Sequence, residues 1–118
     1  MNAVPLGREA EALAAAHLER LGLTILARNL RTPAGELDLV AREGRTLVFV
    51  EVKARSGEAF GAPEEAVDTA KQARLIQAAR AYLALQGGPP PPCRFDVVAV
   101  DFTEGAPRMR HLRDAFRP

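Results

Sequence analysis

Apolar and polar positions follow two rhythms along the chain, and the switches between them mark its elements. From residue 6 to residue 21, Leu6, Ala10, Leu13, Ala14, His17 and Leu21 recur at helical spacing on one arc. Pro5 precedes this helix where proline is tolerated, and Gly22 supplies its stop. Leu23 to Arg28 reads as a strand, and 29–35 as a loop. Gly35 to Val40 and Leu47 to Lys53 then flank a tip, Arg42-Glu43-Gly44-Arg45, and read as a hairpin whose second strand is rich in β-branched and aromatic residues. Ala54 to Pro63 is broken by glycines and a proline; it reads as a connector or, beside a site, a mobile substrate loop. A second helix spans about Glu64 to Gln86, with Asp68 as an alternative cap and a core face of Val67, Leu75, Ala78, Ala79, Tyr82 and Leu83. Gly87-Gly88 ends it, and Pro89 to Pro92 form a stiff spacer too short to separate two domains. Arg94 to Phe102 is an apolar strand, and the basic stretch after it reads as a strand or a solvated tail.

The hairpin carries an anomaly. A run as apolar as Leu47 to Val52 should be a buried strand, yet it ends in Glu51 and Lys53, with Asp38 on its partner. Buried charge is costly unless it is paired or binds a metal. Strand alternation puts Glu36, Asp38 and Val40 on one face, and Leu47, Phe49, Glu51 and Lys53 on one face of the next strand. With Ala41 opposite Thr46, Asp38 faces Phe49, Glu36 faces Glu51, and Asp38 and Glu51 become diagonal neighbours about 7–8 Å apart at the backbone. A one-residue slip would separate them.

Two carboxylates this close repel each other, so they need a divalent cation or a shared proton. Oxygen ligands without Cys or His suit Mg²⁺ or Mn²⁺, and Lys53 beside them could polarise a water or stabilise charge on a phosphate. A metal-dependent phosphodiesterase site fits this spacing; so does an ordinary salt-bridged strand end in which Lys53 neutralises Glu51.

Composition narrows the setting. The chain has 118 residues, 47% of them apolar and 26% charged, which fits one soluble domain spanning 1–118. A net charge of +1 means that any nucleic-acid surface must be a local patch. The single cysteine, Cys93, excludes an internal disulfide and fits a reducing cytoplasm. No apolar run approaches the ~18 residues of a membrane span, so no membrane partner is expected. Among 16 basic residues only Lys53 and Lys71 are lysines, a choice that invites a reason because lysine is a compact charge of adjustable pKa.

Asp38 followed by Glu51-Val52-Lys53 resembles the PD-(D/E)XK signature of the restriction-endonuclease-like superfamily, with Leu37 where the label has proline. More narrowly, Gly35 to Val40 and Phe49 to Arg55 are similar to the YraN-like family of small bacterial proteins. That family's Gly-x-x-Gly-Glu-x-x-Ala pattern corresponds to Gly7 to Ala14, with Ala10 replacing the second glycine, and its Arg-Phe-Asp-Val-Val-Ala-Val matches Arg94 to Val100. The resemblance covers roughly residues 7 to 101. It implies a single α/β domain with a restriction-endonuclease-like central mixed sheet flanked by helices. The nearest catalytic analogy, to archaeal Holliday-junction resolvases, brings in a glutamate from the first helix, here Glu11.

Together these readings give a Mg²⁺- or Mn²⁺-dependent nuclease-like protein acting on DNA, including branched DNA, as a monomer or homodimer. Asp38 and Glu51 would hold metal with the Val52 carbonyl as third ligand, Glu11 would complete or orient the site, and Lys53 would position the attacking water. Candidate nucleic-acid contacts are Arg28, Arg31, Arg55, Lys71, Gln72, Arg108 and Arg110. The alternatives are a non-catalytic nucleic-acid-binding module of the same fold and a protein-interaction scaffold. Asp96 reads as a partner for a basic residue. His17 reads as a core-edge histidine, because no second histidine sits near it in the sequence.

Overall fold

The computed structural model describes residues 6–56 and 67–118. Its elements run α1 (Leu6–Arg20), β1 (Thr24–Thr32), β2 (Gly35–Glu43), β3 (Thr46–Arg55), α2 (Thr69–Gln86), β4 (Cys93–Asp101) and β5 (Arg108–Phe116). The strands form one mixed sheet in the order β1-β2-β3-β4-β5. Only β3 and β4 are parallel; the other pairings are antiparallel. A parallel pair requires a crossover connection, and α2 lies in it. The architecture is consistent with a restriction-endonuclease-like fold.

Each helix covers one sheet face, and strand alternation assigns the residues. Leu39, Ala41, Val48, Val50, Val98 and Val100 pack under α1. Val40, Leu47, Phe49, Phe95 and Val97 pack under α2, against Leu75, Ala78 and Ala79. Tyr82 meets Phe49 edge-on, and Phe49, Phe95 and Phe116 stack in series on the same side. The core face expected for the second helix is therefore the observed one. On α1 the buried stripe is Ala10, Ala14, Ala15 and Leu18, whereas Leu21 is half exposed. The helix ends at Arg20, so Leu21 lies beyond the last turn that could aim it inward.

Several boundaries move. β1 continues through 29–32, where a loop is expected from the sequence, because Asn29 takes a left-handed conformation (φ 49°) and the ladder resumes in the same register at Leu30. The hairpin tip is Gly44-Arg45, with Glu43 opposite Thr46, so the register expected with Ala41 opposite Thr46 is wrong by two residues. Gly44 at φ 60° permits the tighter turn. A two-residue shift preserves every face. β3 extends through Ala54 and Arg55. α2 begins at Thr69, capped by Asp68 accepting from the Lys71 amide; the start expected at Glu64 and most of the proposed substrate loop lie outside the described residues. The basic C-terminal stretch is β5, paired along β4, and not a frayed tail.

Candidate functional site

The site arises where β2 leaves β3. The two strands pair from Glu43/Thr46 to Leu39/Val50 and no further, although β2 continues along β1 to Gly35 and β3 continues along β4 to Arg55. The fork leaves the next β3 amide without its ladder acceptor. Asp38 replaces it: its Oδ2 accepts from the Val52 N–H at 2.9 Å. A strand residue directs its N–H and C=O to the same side, so the Val52 carbonyl faces the same gap.

Glu36, Asp38 and Glu51 line one cavity of about 260 Å³ together with Gly35, Lys71, Arg74 and Leu75. Asp38 hydrogen-bonds Glu51 directly. Burial, that hydrogen bond and the charges of Glu51 and Glu11 push the Asp38 pKa up to about 8, with the Val52 N–H opposing them. Burial works to raise Glu51 too. The hydrogen bond from Asp38 and the ammonium of Lys71, with a smaller contribution from Lys53, overcome it and hold Glu51 below the usual carboxylate range. The pair therefore shares a proton at neutral pH, with Asp38 as donor and Glu51 as the anion. Glu51 is 5% exposed, yet Lys71 lies 2.5 Å and Lys53 3.5 Å from its Oε2. Burial and the neighbouring Lys71 charge lower the Lys53 pKa, whereas Glu51 raises that of Lys71.

The expected residues sort clearly. Asp38, Glu51 and Lys53 converge, and Glu11 on α1 is near enough to act on Asp38. Lys71 comes to the same carboxylate, so both lysines of the chain end on Glu51. Gln72 does not face the pair; its amide donates to the Val67 carbonyl and anchors the first turn of α2. Arg28 and Arg31 are exposed on the edge strand β1, with Arg31 opposite Glu36. On the far flank, Lys53 is in register with Ala99 and then Arg110, and Arg55 with Asp101 and then Arg108. Hydrogen bonds from Thr103, and then the guanidinium charges of Arg55 and Arg108, hold Asp101 below its ordinary pKa. Arg74 on the cavity wall was not foreseen, though it stands three residues after Lys71 and so shares its helix face.

A divalent oxygen-seeking cation fits the pair. Asp38 and Glu51 hold between them a proton that a cation could replace, and Mg²⁺ needs only one or two protein carboxylates, its other ligands being waters and phosphate oxygens. Among the described residues no group of three or more His, Cys, Asp or Glu side chains is arranged to hold a metal. The Val52 carbonyl, which faces the same gap, is a backbone oxygen within the fork.

A second polar cluster lies on the α1 face. Asp96, fully buried, accepts from Arg94 Nε at 3.0 Å, the Asp114 amide at 2.9 Å and His111 Nε2 at 2.8 Å. Its role as partner of a basic residue is thus met twice. His111 Nδ1 lies 3.3 Å from His17 Nε2, so the expectation that no second histidine stands near His17 fails in space: β5 brings one from 94 residues away. Burial, then the charges of His111 and Arg20, lower the His17 pKa.

Among the described residues no helix is long and apolar enough to cross a membrane. Residues 10–100 match the model of Uncharacterised protein family UPF0102. A UPF0102 protein of Symbiobacterium thermophilum is 50% identical over 112 residues, covering 94% of this chain and 95% of the relative. One from Anaeromyxobacter dehalogenans is 52% identical over 111 residues, covering 94% and 83% respectively. With the signature residues, the fold and these relatives in agreement, the chain belongs to the UPF0102 family, the YraN family that its hairpin resembles.

Proposed function

We propose that the protein is a Mg²⁺- or Mn²⁺-dependent nuclease-like enzyme that hydrolyses phosphodiester bonds in DNA. The observation that carries this reading is the meeting of Asp38, Glu51 and Lys53 at a fork in the sheet, where Asp38 and Glu51 line an open cavity. When bound there, the cation would polarise a phosphate oxygen and offset charge developing on it. Asp38 and Glu51 would hold it, with the Val52 carbonyl as third ligand. Lys53 would orient the attacking water, its lowered pKa suiting it to exchange a proton with that water. Glu11 would tune Asp38 through its charge. Arg28 and Arg31 on one flank, and Arg55, Arg108 and Arg110 on the other, would take backbone phosphates.

The deciding experiment incubates single-stranded, duplex and four-way DNA with Mn²⁺ and protein, with Lys53→Ala protein purified in parallel. Cleavage by the wild type alone, abolished by chelator, is expected. Equal cleavage by both proteins would assign the activity to a contaminant. One observation favours a second reading, a nucleic-acid-binding module of the same fold without turnover: Glu51 has two lysines of the chain as counter-ions. DNA binding without cleavage would select it.

Binding itself should depend on salt. Each duplex phosphate contact contributes a slope near −0.9 in log K against log salt. Replacing Arg108 and Arg110 together should therefore reduce the slope by up to about two units, and should leave Mn²⁺ affinity unchanged. Titration of labelled duplex at several salt concentrations measures it. An unchanged slope would move the contact surface away from β5.

A further inference from the structure

Lys71 stands in an unfavourable place for a lysine. Its amide is held by the Asp68 cap, so it lies in the first turn of α2, where the helix dipole disfavours positive charge. Its ammonium is nevertheless 2.5 Å from Glu51 Oε2, the same oxygen that Lys53 approaches at 3.5 Å. A cation held between Asp38 and Glu51 would need Glu51 and would bring two positive charges into the space that Lys71 now serves. The cavity that Lys71 lines also contains Arg74 from the next turn of α2.

We propose that Lys71 is the resident counter-ion of the carboxylate pair. It neutralises Glu51 in the metal-free protein, yields that carboxylate to a divalent cation, and then turns its ammonium, beside Arg74, to a phosphate of the substrate in the same cavity. This rests on reading Asp38 and Glu51 as a metal site. Metal and phosphate then bind cooperatively: metal releases a phosphate donor, and phosphate by reciprocity favours the metal. Lys53, farther from the shared oxygen, keeps its place beside the water.

Calorimetric titration of Mn²⁺ into the whole protein tests the displacement. Lys71→Met should bind Mn²⁺ about fivefold to tenfold more tightly than wild type. Lys53→Met should change affinity by less than about twofold, because it removes a nearby charge but no direct competitor. Thymidine 5′-monophosphate, titrated with and without Mn²⁺, should bind at least about fivefold more tightly with the metal in wild type, and this gain should be clearly smaller in Lys71→Met, which keeps only direct contact with the cation; an equal gain in both proteins would overturn the role of Lys71 toward the phosphate. Lys71→Gln serves if the methionine variant does not fold. Unchanged or weaker Mn²⁺ binding on removing Lys71 would overturn the proposal, since Lys71 would then position Glu51 for the metal and not compete with it. Equal tightening by both lysine substitutions would overturn it in favour of a general field. Absence of Mn²⁺ binding in every protein would remove the metal reading, and the proposal with it.

Discussion

Replacing Asp96 with alanine should destabilise the protein by about 3 kcal/mol, because it strands buried partners of a buried charge. Asp96 is fully buried between β4 and β5 and receives hydrogen bonds from Arg94, His111 and the Asp114 backbone. Burial favours its neutral form, yet His111, Arg94 and the Asp114 amide outweigh burial and keep the carboxylate ionised below its usual range. Removing it leaves His111, 8% exposed, with the ring of His17 as its remaining side-chain hydrogen-bond partner among the described residues. Arg94 keeps Glu43, which also holds Arg113, so the loss belongs at the low end of the ~3–5 kcal/mol range for a broken buried pair. For a chain of this length the melting midpoint should fall by roughly 10 °C. Acid should act in the same direction. A carboxylate whose folded pKa is depressed contributes stability above its unfolded pKa and loses it as pH falls through the folded value. The wild type should therefore lose stability below about pH 4 more steeply than Asp96→Ala. Urea melts of both proteins between pH 3 and 7 measure it; a shift under about 1 kcal/mol would mean that water satisfies these groups when Asp96 is gone.

Asp38→Asn should have the opposite character in chelator. At neutral pH Asp38 is protonated, accepting from the Val52 N–H and donating to Glu51. Asparagine can reproduce both bonds and stays neutral in the folded and unfolded chain, so the variant should match wild type within about 0.5 kcal/mol below about pH 4, where Asp38 is protonated in both states. The proteins should then diverge. The folded pKa of Asp38, about 8, is raised above its unfolded value, so the stability it contributes is complete below about pH 4 and is lost as pH rises through 8. Between those limits the folded state carries the extra proton, and wild-type stability should fall by at most ~1.4 kcal/mol per pH unit for one proton. The window from about pH 6.5 to 8 isolates Asp38: Glu51 and Asp96, both depressed, act at lower pH, and His17, also depressed, acts below its ordinary value of 6.5. Asp38→Asn should be flat across that window and more stable than wild type at pH 8.5. It should also lose divalent-cation binding. Melts across pH in chelator decide between this and a structural ion pair; a variant clearly weaker at pH 6.5 would indicate the latter.

Periodicity made most of this legible and failed where contacts are distant. The alternation in 47–53 placed Phe49, Glu51 and Lys53 on one face without knowledge of the turn, because an error of two residues does not change a face. It could not show that β2 departs from β3 at Leu39, since nothing local to Asp38 reveals that its side chain takes over a backbone bond. The scarcity of lysine pointed to Lys53 and Lys71, and both meet Glu51. The cluster of Asp96, His111 and His17 joins β4, β5 and α1, and no spacing within any one of them announces the others. Asn29 and Asp114, the non-glycine residues with positive φ among those described, mark where a strand that looked finished or frayed continues.

The fork has a further consequence for how the chain behaves among other chains. A sheet opened in its middle exposes backbone donors and acceptors, the template on which a foreign strand adds itself and aggregation begins. Here the first exposed amide, that of Val52, is held by the carboxyl group of Asp38, and Glu51 beside it carries charge into the gap. The residues proposed to hold the cation thus also bar a stranger's strand from the opening, so a change that empties the site of carboxylates would leave a sticky seam in the sheet.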